Sequence, residues 1–452
     1  MMVNNPAVGG LRFMRLGMLA LAIGMLFGVI GGFQFLFPEF LRELLFTKTR
    51  PLHVSMVVSW IFLIAIGGIY YYLPRQCKLP LYSVRAVSWH YWGFLITGLA
   101  ILGCYLSGKF GGREYFEFPP ILSIPIFLTW IIFGVNYFNT ARQDKDPWPV
   151  YYWMWGTGIV FFFITFTEAY LWLIPYFRDN MVREIMVQWK SYGALTGSWN
   201  MLVYGTAIFV ASRISENPQA ARSKMAYGLY FLGFFNLIFG WAHHTYLVPS
   251  APWIRTLAYA VSMTELFVLG KILWDWRGTV TSYQKNRHCN AYRFLFASEV
   301  WVFVNLILAL VISVPALNLI THGTHITVAH AMGTTIGINT MILLASVFYV
   351  IREELPLEVH SGCSKQVKLG YRIANLSLAV FFTSLVLAGL GKGLYGGGSF
   401  QEMMLSIRPF LLAFVVSGVT LMIGIWIVLL YAVRLINLCI DPANRAELAA
   451  EY

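Results

Sequence analysis

The sequence predicts an all-α protein whose helices form a bundle that crosses a membrane many times. Of the 452 residues, 58% are hydrophobic and only 12% are charged, whereas soluble globular proteins have about 45–50% apolar and about 25% charged residues. The apolar residues are gathered into runs long enough to span roughly 30 Å of hydrocarbon as helices. Together these observations exclude a soluble enzyme, a disordered chain and a DNA-binding domain.

Twelve runs have the length and composition of transmembrane helices. Their Trp, Tyr and Gly residues are typical of helices that pack closely in a bilayer. The loops between them are short, so we expect residues 1–452 to form a single membrane domain. The predicted helices cover residues 14–36, 53–73, 87–107, 119–138, 150–172, 193–213, 226–248, 254–274, 294–320, 327–351, 370–393 and 409–436.

The first of these runs resembles a signal peptide, because it follows Arg12 and Arg15. It is too long for the apolar part of a signal peptide, and it has no small-residue cleavage site. We therefore expect it to remain in the protein as the first helix.

The Lys and Arg residues predict the orientation of the chain. Of the 32, 21 lie in the terminal segments and in the loops on the same side, and 11 lie in the opposite loops. Because positively charged loops remain in the cytoplasm, we expect both termini to be cytoplasmic. The net charge of +12 thus reflects membrane topology, and no basic stretch predicts binding of nucleic acid.

The cysteines exclude two kinds of site. They form no CxxC or CxxCH motif, so the sequence predicts neither a zinc ribbon nor a covalently attached haem. The five cysteines are Cys77, Cys104, Cys289, Cys363 and Cys439.

Four histidines are predicted to lie at one depth near the outer ends of three helices. His53 begins the second helix, His243 and His244 end the seventh, and His330 lies one turn inside the tenth. Imidazoles are costly to bury in a membrane unless they bind something, and imidazole is the commonest metal ligand. We therefore expect these four to bind metal ions. The histidines for which an interfacial position is the simpler interpretation are His90, His288 and His360.

His330 and Met332 are predicted to face two different haems. Side chains two residues apart on a helix point about 200° apart. His330 would bind one haem, and Met332 would bind a second haem together with His53. His/Met ligation raises the reduction potential relative to bis-His ligation. The alternative for Met332 is a thioether packed in the core.

His243 and His244 are adjacent, and on a regular helix their side chains point about 100° apart. Both reach one ion only where the helix end is distorted, which the nearby Pro249 favours. Imidazole ligands at a redox-active site suit iron or copper better than calcium or magnesium.

These residues, in this order, resemble the haem–copper oxidase superfamily, and within it the large, haem-bearing subunit of bacterial, cytochrome c-dependent nitric oxide reductases. The resemblance covers roughly residues 12–436. It implies twelve helices around two b-type haems and a non-haem iron, in the inner (cytoplasmic) membrane of a bacterium. It also implies reduction of NO to N2O with electrons from a cytochrome c-bearing small subunit. The segments that carry it are 53–60 with 71–74, 112–117, 241–249 and 321–330.

The resemblance assigns ligands to the haems and the second metal. It implies that His53 is an axial ligand of the low-spin haem and that His330 is the proximal ligand of the high-spin haem. His243 and His244 match two of three histidine ligands of the non-haem metal. Met332 stands where the family has the second histidine of the low-spin haem, so a His53/Met332 haem of higher potential is expected.

The resemblance also assigns roles to three acids. It implies that Glu114 helps to hold a calcium ion between haem propionates and that Glu117 belongs to a proton path. Glu265 matches a buried carboxylate beside the active site. A lone carboxyl group there is protonated or hydrogen-bonded, so we expect a proton carrier or a structural hydrogen bond.

The sixth predicted helix departs from the family pattern. Aligning residues 198–201 with the family places Tyr192 where the third metal-binding histidine belongs. Thr196 then occupies the place of an iron-binding glutamate, and Asn200 that of a further glutamate. These positions lie four apart on one helix face. We expect Tyr192 and Thr196 to face the second metal, which would be iron or copper if it is retained.

Two functions therefore stay open. The first is a membrane oxidoreductase that reduces NO or a related small gas. The second is a haem protein of the same fold that binds NO or relays electrons without a second metal. A transporter with structural histidines is a weaker alternative, because transporters place their polar residues near mid-membrane.

Overall fold

The structure, a computed structural model, describes residues 6–263, 280–355 and 363–441. Within these ranges the chain is helical, and its one β-type pairing is an isolated bridge between Arg113 and Phe116. Eleven described helices are long and apolar enough to cross a membrane. The all-α class is thereby confirmed. Of the predicted helix 254–274, residues 254–263 lie in a helix described over residues 252–263, and Glu265 lies outside the described residues.

We number the long helices α1 to α12 in chain order. They are α1 (Pro6–Leu36), α2 (Phe46–Cys77), α3 (Val84–Leu106), α4 (Ser123–Ala141), α5 (Val150–Glu168), α6 (Met181–Ile214), α7 (Lys224–Phe239), α8 (residues 252–263 as described), α9 (Cys289–Ser313), α10 (His325–Met332, Gly333–Thr340 and Met341–Glu354 in succession), α11 (Lys365–Gly393) and α12 (Phe400–Ile440).

Several helices begin well before the apolar runs that predict them, and two of these carry candidate site residues. α2 starts at Phe46 rather than 53, and α6 starts at Met181 rather than 193. The Asn180 side chain caps α6 by accepting a hydrogen bond from the Arg183 amide, and Glu184 lies in the first turn. Such capping satisfies free amide groups and favours an early helix start. His53 and Tyr192 therefore lie inside helices rather than at their ends.

Glycines bring the backbones of two helix pairs into close contact. A Cβ atom on Gly67 of α2 would lie 2.6 Å from the carbonyl oxygen of Gly10 in α1. A Cβ atom on Gly370 of α11 would lie 2.7 Å from the carbonyl oxygen of Gly424 in α12. Small residues at such contacts let membrane helices pack by van der Waals forces.

α1 is also held against α12, so the first and last helices are neighbours. Arg15 donates a hydrogen bond to Asn437 at 3.1 Å, and the Trp426 indole donates to the carbonyl oxygen of Ala22 at 3.1 Å. These polar contacts satisfy groups that lipid would leave without partners.

α10 is the most deeply buried of the described spans and lies between α9 and α11. At Gly333 an added Cβ atom would clash with Asn305 of α9 and lie 3.1 Å from Phe382 of α11. The Asn305 amide donates a hydrogen bond to Thr334 at 2.7 Å, and Trp60 of α2 donates to Thr340 at 3.1 Å. This helix, which carries His330 and Met332, is therefore fixed from several sides.

We predict that Gly67→Ala destabilises the protein, because the new methyl group meets backbone atoms of α1 that have no room to move. Overpacking of this kind costs about 1–3 kcal/mol. The measurement is thermal unfolding of the protein in detergent. The matched control is Gly98→Ala in α3, where no atom lies within 4 Å of the added carbon. Equal unfolding temperatures for the two variants would contradict the predicted contact.

Candidate metal and haem site

The end of α7 changes winding where the two adjacent histidines lie. The segment Gly240–Thr245 forms a 3₁₀ turn, and Pro249 follows it. The ring centroids of His243 and His244 are 4.2 Å apart. This change of winding supplies the distortion that both imidazoles need in order to reach one ion, and it brings the two rings together.

The nitrogens of these rings fit a metal or haem site. Both ring nitrogens of His243 and Nδ1 of His244 are buried without a hydrogen-bond partner among the described residues, and so is Nδ1 of His330. Buried polar atoms are nearly always hydrogen-bonded, and an exception calls for an explanation such as an ion. Neutral imidazole nitrogens of this kind are the form that binds metals.

Two further imidazoles come close to the pair. His330 and His322 both lie within electrostatic range of His243 and His244. The His322 ring centroid is 6.0 Å from that of His244. His322 lies in the turn between the short helix Pro315–Thr321 and α10, and Asn318 of that short helix donates a hydrogen bond to the carbonyl oxygen of His243 at 3.3 Å.

The sequence alone did not single out His322 as a site residue. The available signal was its position in the Thr321–His330 segment, eight residues before His330. The position of His322 in the sequence did not by itself predict its contact with His244. The turn between the short helix Pro315–Thr321 and α10 places His322 near the end of α7.

α6 presents an aromatic residue and glycines to the pair. The Trp189 ring stacks on His244, with centroids 4.9 Å apart and planes 10° apart. A Cβ atom on Gly193 would clash with Trp241, and one on Gly197 would lie 2.9 Å from Leu237. The close approach of α7 to α6 thus leaves no space for a side chain at position 193.

The structure places the Tyr192 ring against the loop that precedes α4, and the role expected of Thr196 stays a prediction. The Tyr192 ring lies 5.1 Å from Tyr115 and 5.8 Å from Phe116, on the side of the loop that precedes α4. The Thr196 hydroxyl donates to the Tyr192 carbonyl oxygen in its own helix at 3.1 Å. Tyr192 lies about 60° from Trp189 around the helix, and the two rings contact different neighbours, Tyr115 and His244 respectively.

No three His, Cys, Asp or Glu side chains among the described residues lie close enough together to hold one metal ion. His243 and His244 lie side by side, and His322 and His330 are the further imidazoles near them.

His53 has the hydrogen bonding expected of a haem ligand. Its Nδ1 lies 2.8 Å from the carbonyl oxygen of Gly24 in α1, and Gly28 leaves room for the ring. A hydrogen bond at Nδ1 fixes the tautomer and leaves Nε2 available to bind a metal. Met332 is half-buried at the edge of the main core, directly before the π-helical segment of α10. The hydrogen bond of His53 fits haem ligation, and ligation by Met332 stays a prediction.

Arg50 forms ion pairs with two acids of the loop between α3 and α4. Its Nη1 donates to Glu117 at 2.9 Å, and its Nη2 forms an ion pair with Glu114. Tyr115 between them has a φ of 68°, which turns the loop tightly. Calcium requires six to eight oxygen ligands, whereas these two carboxylates are matched by a guanidinium group. Glu114 is paired with Arg50 in this structure, and the calcium ion at Glu114 stays a prediction.

Glu117 is partly shielded from water. One of its carboxylate oxygens is buried without a partner among the described residues. Burial raises the pKa of this carboxyl group, and the Arg50 guanidinium partly opposes that rise. A carboxyl group with a raised pKa keeps its proton to a higher pH than a free carboxyl group does, which suits an acid that accepts and releases protons.

A family of known proteins matches most of the chain. The sequence model described as "Cytochrome C and Quinol oxidase polypeptide I" matches residues 9–420. A nitric oxide reductase subunit of Stutzerimonas stutzeri is 23% identical over 398 residues, which cover 81% of this chain and 80% of that protein. Cytochrome c oxidase subunit 1 of Rhodobacter capsulatus is 25% identical over 414 residues, which cover 82% and 73%.

A third relative and a solved structure agree with these matches. The cbb3-type cytochrome c oxidase subunit CcoN1 of Stutzerimonas stutzeri is 24% identical over 407 residues, which cover 82% of this chain and 81% of that protein. The cryo-EM structure of a heme-copper terminal oxidase dimer has a TM-score of 0.77 at 16% identity and covers 95% of this chain and 84% of that one. The last similarity concerns the fold.

We predict that Arg50→Gln raises the pKa of Glu117 further, because the guanidinium favours the charged carboxylate. Since the folded state favours the protonated acid, ionisation of Glu117 removes stability as the pH rises through the raised pKa. An infrared titration of the protonated carboxyl band, assigned with Glu117→Gln, measures this. The control is Arg178→Gln, at a surface pair with Asp179. A pKa that falls or stays constant in Arg50→Gln would refute the assignment.

Proposed function

The chain belongs to the cytochrome c and quinol oxidase polypeptide I family, the haem–copper oxidase subunit I proteins, and from that premise we propose that it is a nitric oxide reductase. In this reaction two NO molecules, two electrons and two protons give N2O and water. The observation that carries the proposal is the group of imidazoles with unpartnered nitrogens at the end of α7 and the start of α10. The similarity to the nitric oxide reductase of Stutzerimonas stutzeri supports the choice of NO.

The proposed ligands follow from the site. His53 and Met332 would hold a low-spin b-type haem, and His330 would hold a high-spin b-type haem. His243 and His244 would hold a second metal, iron or copper. When bound, these groups would pass electrons to the gas and provide its binding positions.

The residues around the ligands have their own roles. The Gly24 carbonyl orients the His53 ring, and Trp189 fixes the plane of His244 by stacking. Glu117 is proposed as an entry point for protons, and Glu265, outside the described residues, as a proton carrier. Electrons are proposed to come from a cytochrome c-bearing small subunit, since this chain has no CxxCH motif.

An apolar cavity supports the proposal that the substrate is small and uncharged. It has a volume of about 110 Å³ and lies between α2, α3, α4 and α5. Phe62, Trp130 and Phe162 line its inner part, and Tyr115 and Phe116, which contact Tyr192, line its outer end. NO is small and apolar enough to partition into such a space.

The location follows from the charge distribution and the family. The chain is proposed to lie in the inner membrane of a bacterium with both termini in the cytoplasm. The imidazole group then lies toward the outer surface, where an external cytochrome can deliver electrons.

A second function is favoured by the face that α6 presents to the pair. Trp189 and Gly193 occupy the positions nearest His244 and Trp241, and neither supplies a metal ligand. Two imidazoles alone bind iron(II) weakly. The second candidate is therefore a haem protein of the same fold that binds NO or relays electrons without a second metal.

The reduced-minus-oxidised spectrum and metal content of the purified protein test the proposal. We predict two b-type haems and one stoichiometric iron or copper, with NO consumption that produces N2O. Two haems without a further metal, and without N2O, would favour the second candidate. A colourless protein would exclude both.

Single variants test the haem ligands. We predict that His330→Ala removes the high-spin signal and leaves the low-spin signal in place.

Met332→His is predicted to give a bis-His spectrum and a lower potential, because the thioether stabilises reduced iron. An unchanged low-spin spectrum in Met332→His would show that Met332 is not a ligand.

A substitution on α6 tests which face meets the metal. We predict that Trp189→His tightens the binding of the non-haem metal, so that more of it is retained after dialysis against a chelator, because it places a third imidazole against His244. The matched control is Tyr192→His, which lies against Tyr115 and is predicted to leave the metal content unchanged. An increase with Tyr192→His alone would reverse our assignment of the two faces.

A further inference from the structure

Two cysteines far apart in the sequence meet at the ends of two helices. Cys289 is the first residue of α9, and Cys363 directly precedes Ser364, the N-cap residue of α11. The structure joins them in a disulfide, with Cα atoms 5.3 Å apart and a sequence separation of 74. This Cα separation is normal for a disulfide. The bond therefore forms without movement of the backbone.

The predicted orientation places this pair on the cytoplasmic side. The segment from 271 to 293, which leads from α8 into α9, carries five Lys and Arg residues. Such basic segments remain in the cytoplasm. Cytoplasmic thiols are kept reduced, and disulfides found there are usually transient or redox-sensing. A bonded pair on this side is therefore expected to open and close.

The surroundings of the two sulfurs differ. Arg293, one turn along α9, donates a hydrogen bond from Nη2 to the Cys289 sulfur at 3.4 Å. This charge and the helix N-terminus favour the thiolate when the bond is reduced. Cys289 is half-buried, whereas Cys363 is exposed. Cys363 is therefore the sulfur that an external reagent reaches first.

We propose that Cys289 and Cys363 form a reversible thiol–disulfide pair that is oxidised by a low-molecular-weight disulfide. The Cys363 thiolate attacks one sulfur of that disulfide, which forms a mixed disulfide and releases one small thiol. The Cys289 thiolate then attacks the Cys363 sulfur, which closes the internal bond and releases the second small thiol. Two electrons pass from the protein thiols to the small disulfide, so the exchange is balanced.

The bond joins the two helices that hold α10. Farther along, Trp301 of α9 donates a hydrogen bond to Asn375 of α11 at 3.0 Å. Both helices also contact Gly333 of α10, through Asn305 and Phe382. Oxidation thus fixes the inner ends of the helices on either side of the proposed haem-binding helix. The proposal concerns this link and does not depend on the gas that the protein reduces.

Differential alkylation of the full-length protein in its membrane tests the pair. In untreated cells we expect both cysteines to be alkylated. After inverted membrane vesicles are treated with oxidised glutathione, both should resist alkylation, and mass spectrometry should detect a Cys289–Cys363 cross-linked peptide that dithiothreitol removes. Cys104, a free half-buried cysteine of α3, is the internal control and should not change.

A trapping experiment tests the order of attack. Cys289→Ser should retain glutathione on Cys363, because no second thiolate resolves the mixed disulfide. Cys363→Ser should retain several-fold less, because Cys289 is half-buried. Cys104→Ser should behave as the unmodified chain. Because the adduct is read directly by mass, the result does not depend on enzyme activity.

Three results would overturn the proposal. The first is alkylation of both cysteines after oxidised glutathione, which would show that the bond does not form. The second is a bond already complete in untreated cells, which would make it a permanent link. The third is labelling of Cys363 in intact cells by a reagent that does not cross the membrane, which would place the pair outside.

Discussion

The close packing of α10 between α9 and α11 is the constraint on which the site depends. At Gly333 and Gly337 an added Cβ atom would meet Asn305 and Trp301 of α9, so the two helices approach as closely as backbones allow. Protein interiors are packed too tightly for a helix held in this way to rotate. The direction in which His330 points is therefore decided by glycines further along its own helix.

The same principle explains how α6 and α7 form the other half of the site. Gly193 and Gly197 let the two helices approach, and this approach fixes which face of α6 meets His244. The Trp189 ring fills the adjacent space by stacking on the imidazole. Position 193 of α6 can either carry a metal-binding side chain or allow close contact with α7. In this chain it is a glycine, and the helices are in close contact.

Near the start of α2, which carries the proposed haem ligand His53, ion pairs link this helix to the loop before α4. Arg50 lies one turn before His53 and pairs with both Glu114 and Glu117. The positive charge thus stands beside the proposed haem position, where it offsets two carboxylates. This arrangement leaves Glu117 partly buried, and its raised pKa follows from that burial.

The sequence by itself determined the all-α class and most of the spans, because the length of an apolar run fixes how a helix crosses lipid. It also identified a distorted helix end as the condition under which His243 and His244 reach one ion. Only the tertiary structure decided that Trp189 rather than Tyr192 faces His244, that His322 turns back toward the pair, and that two distant cysteines meet. Helix periodicity gives the angle between residues of one helix, whereas the rotation of that helix relative to its neighbours is set by the side chains and glycines of both.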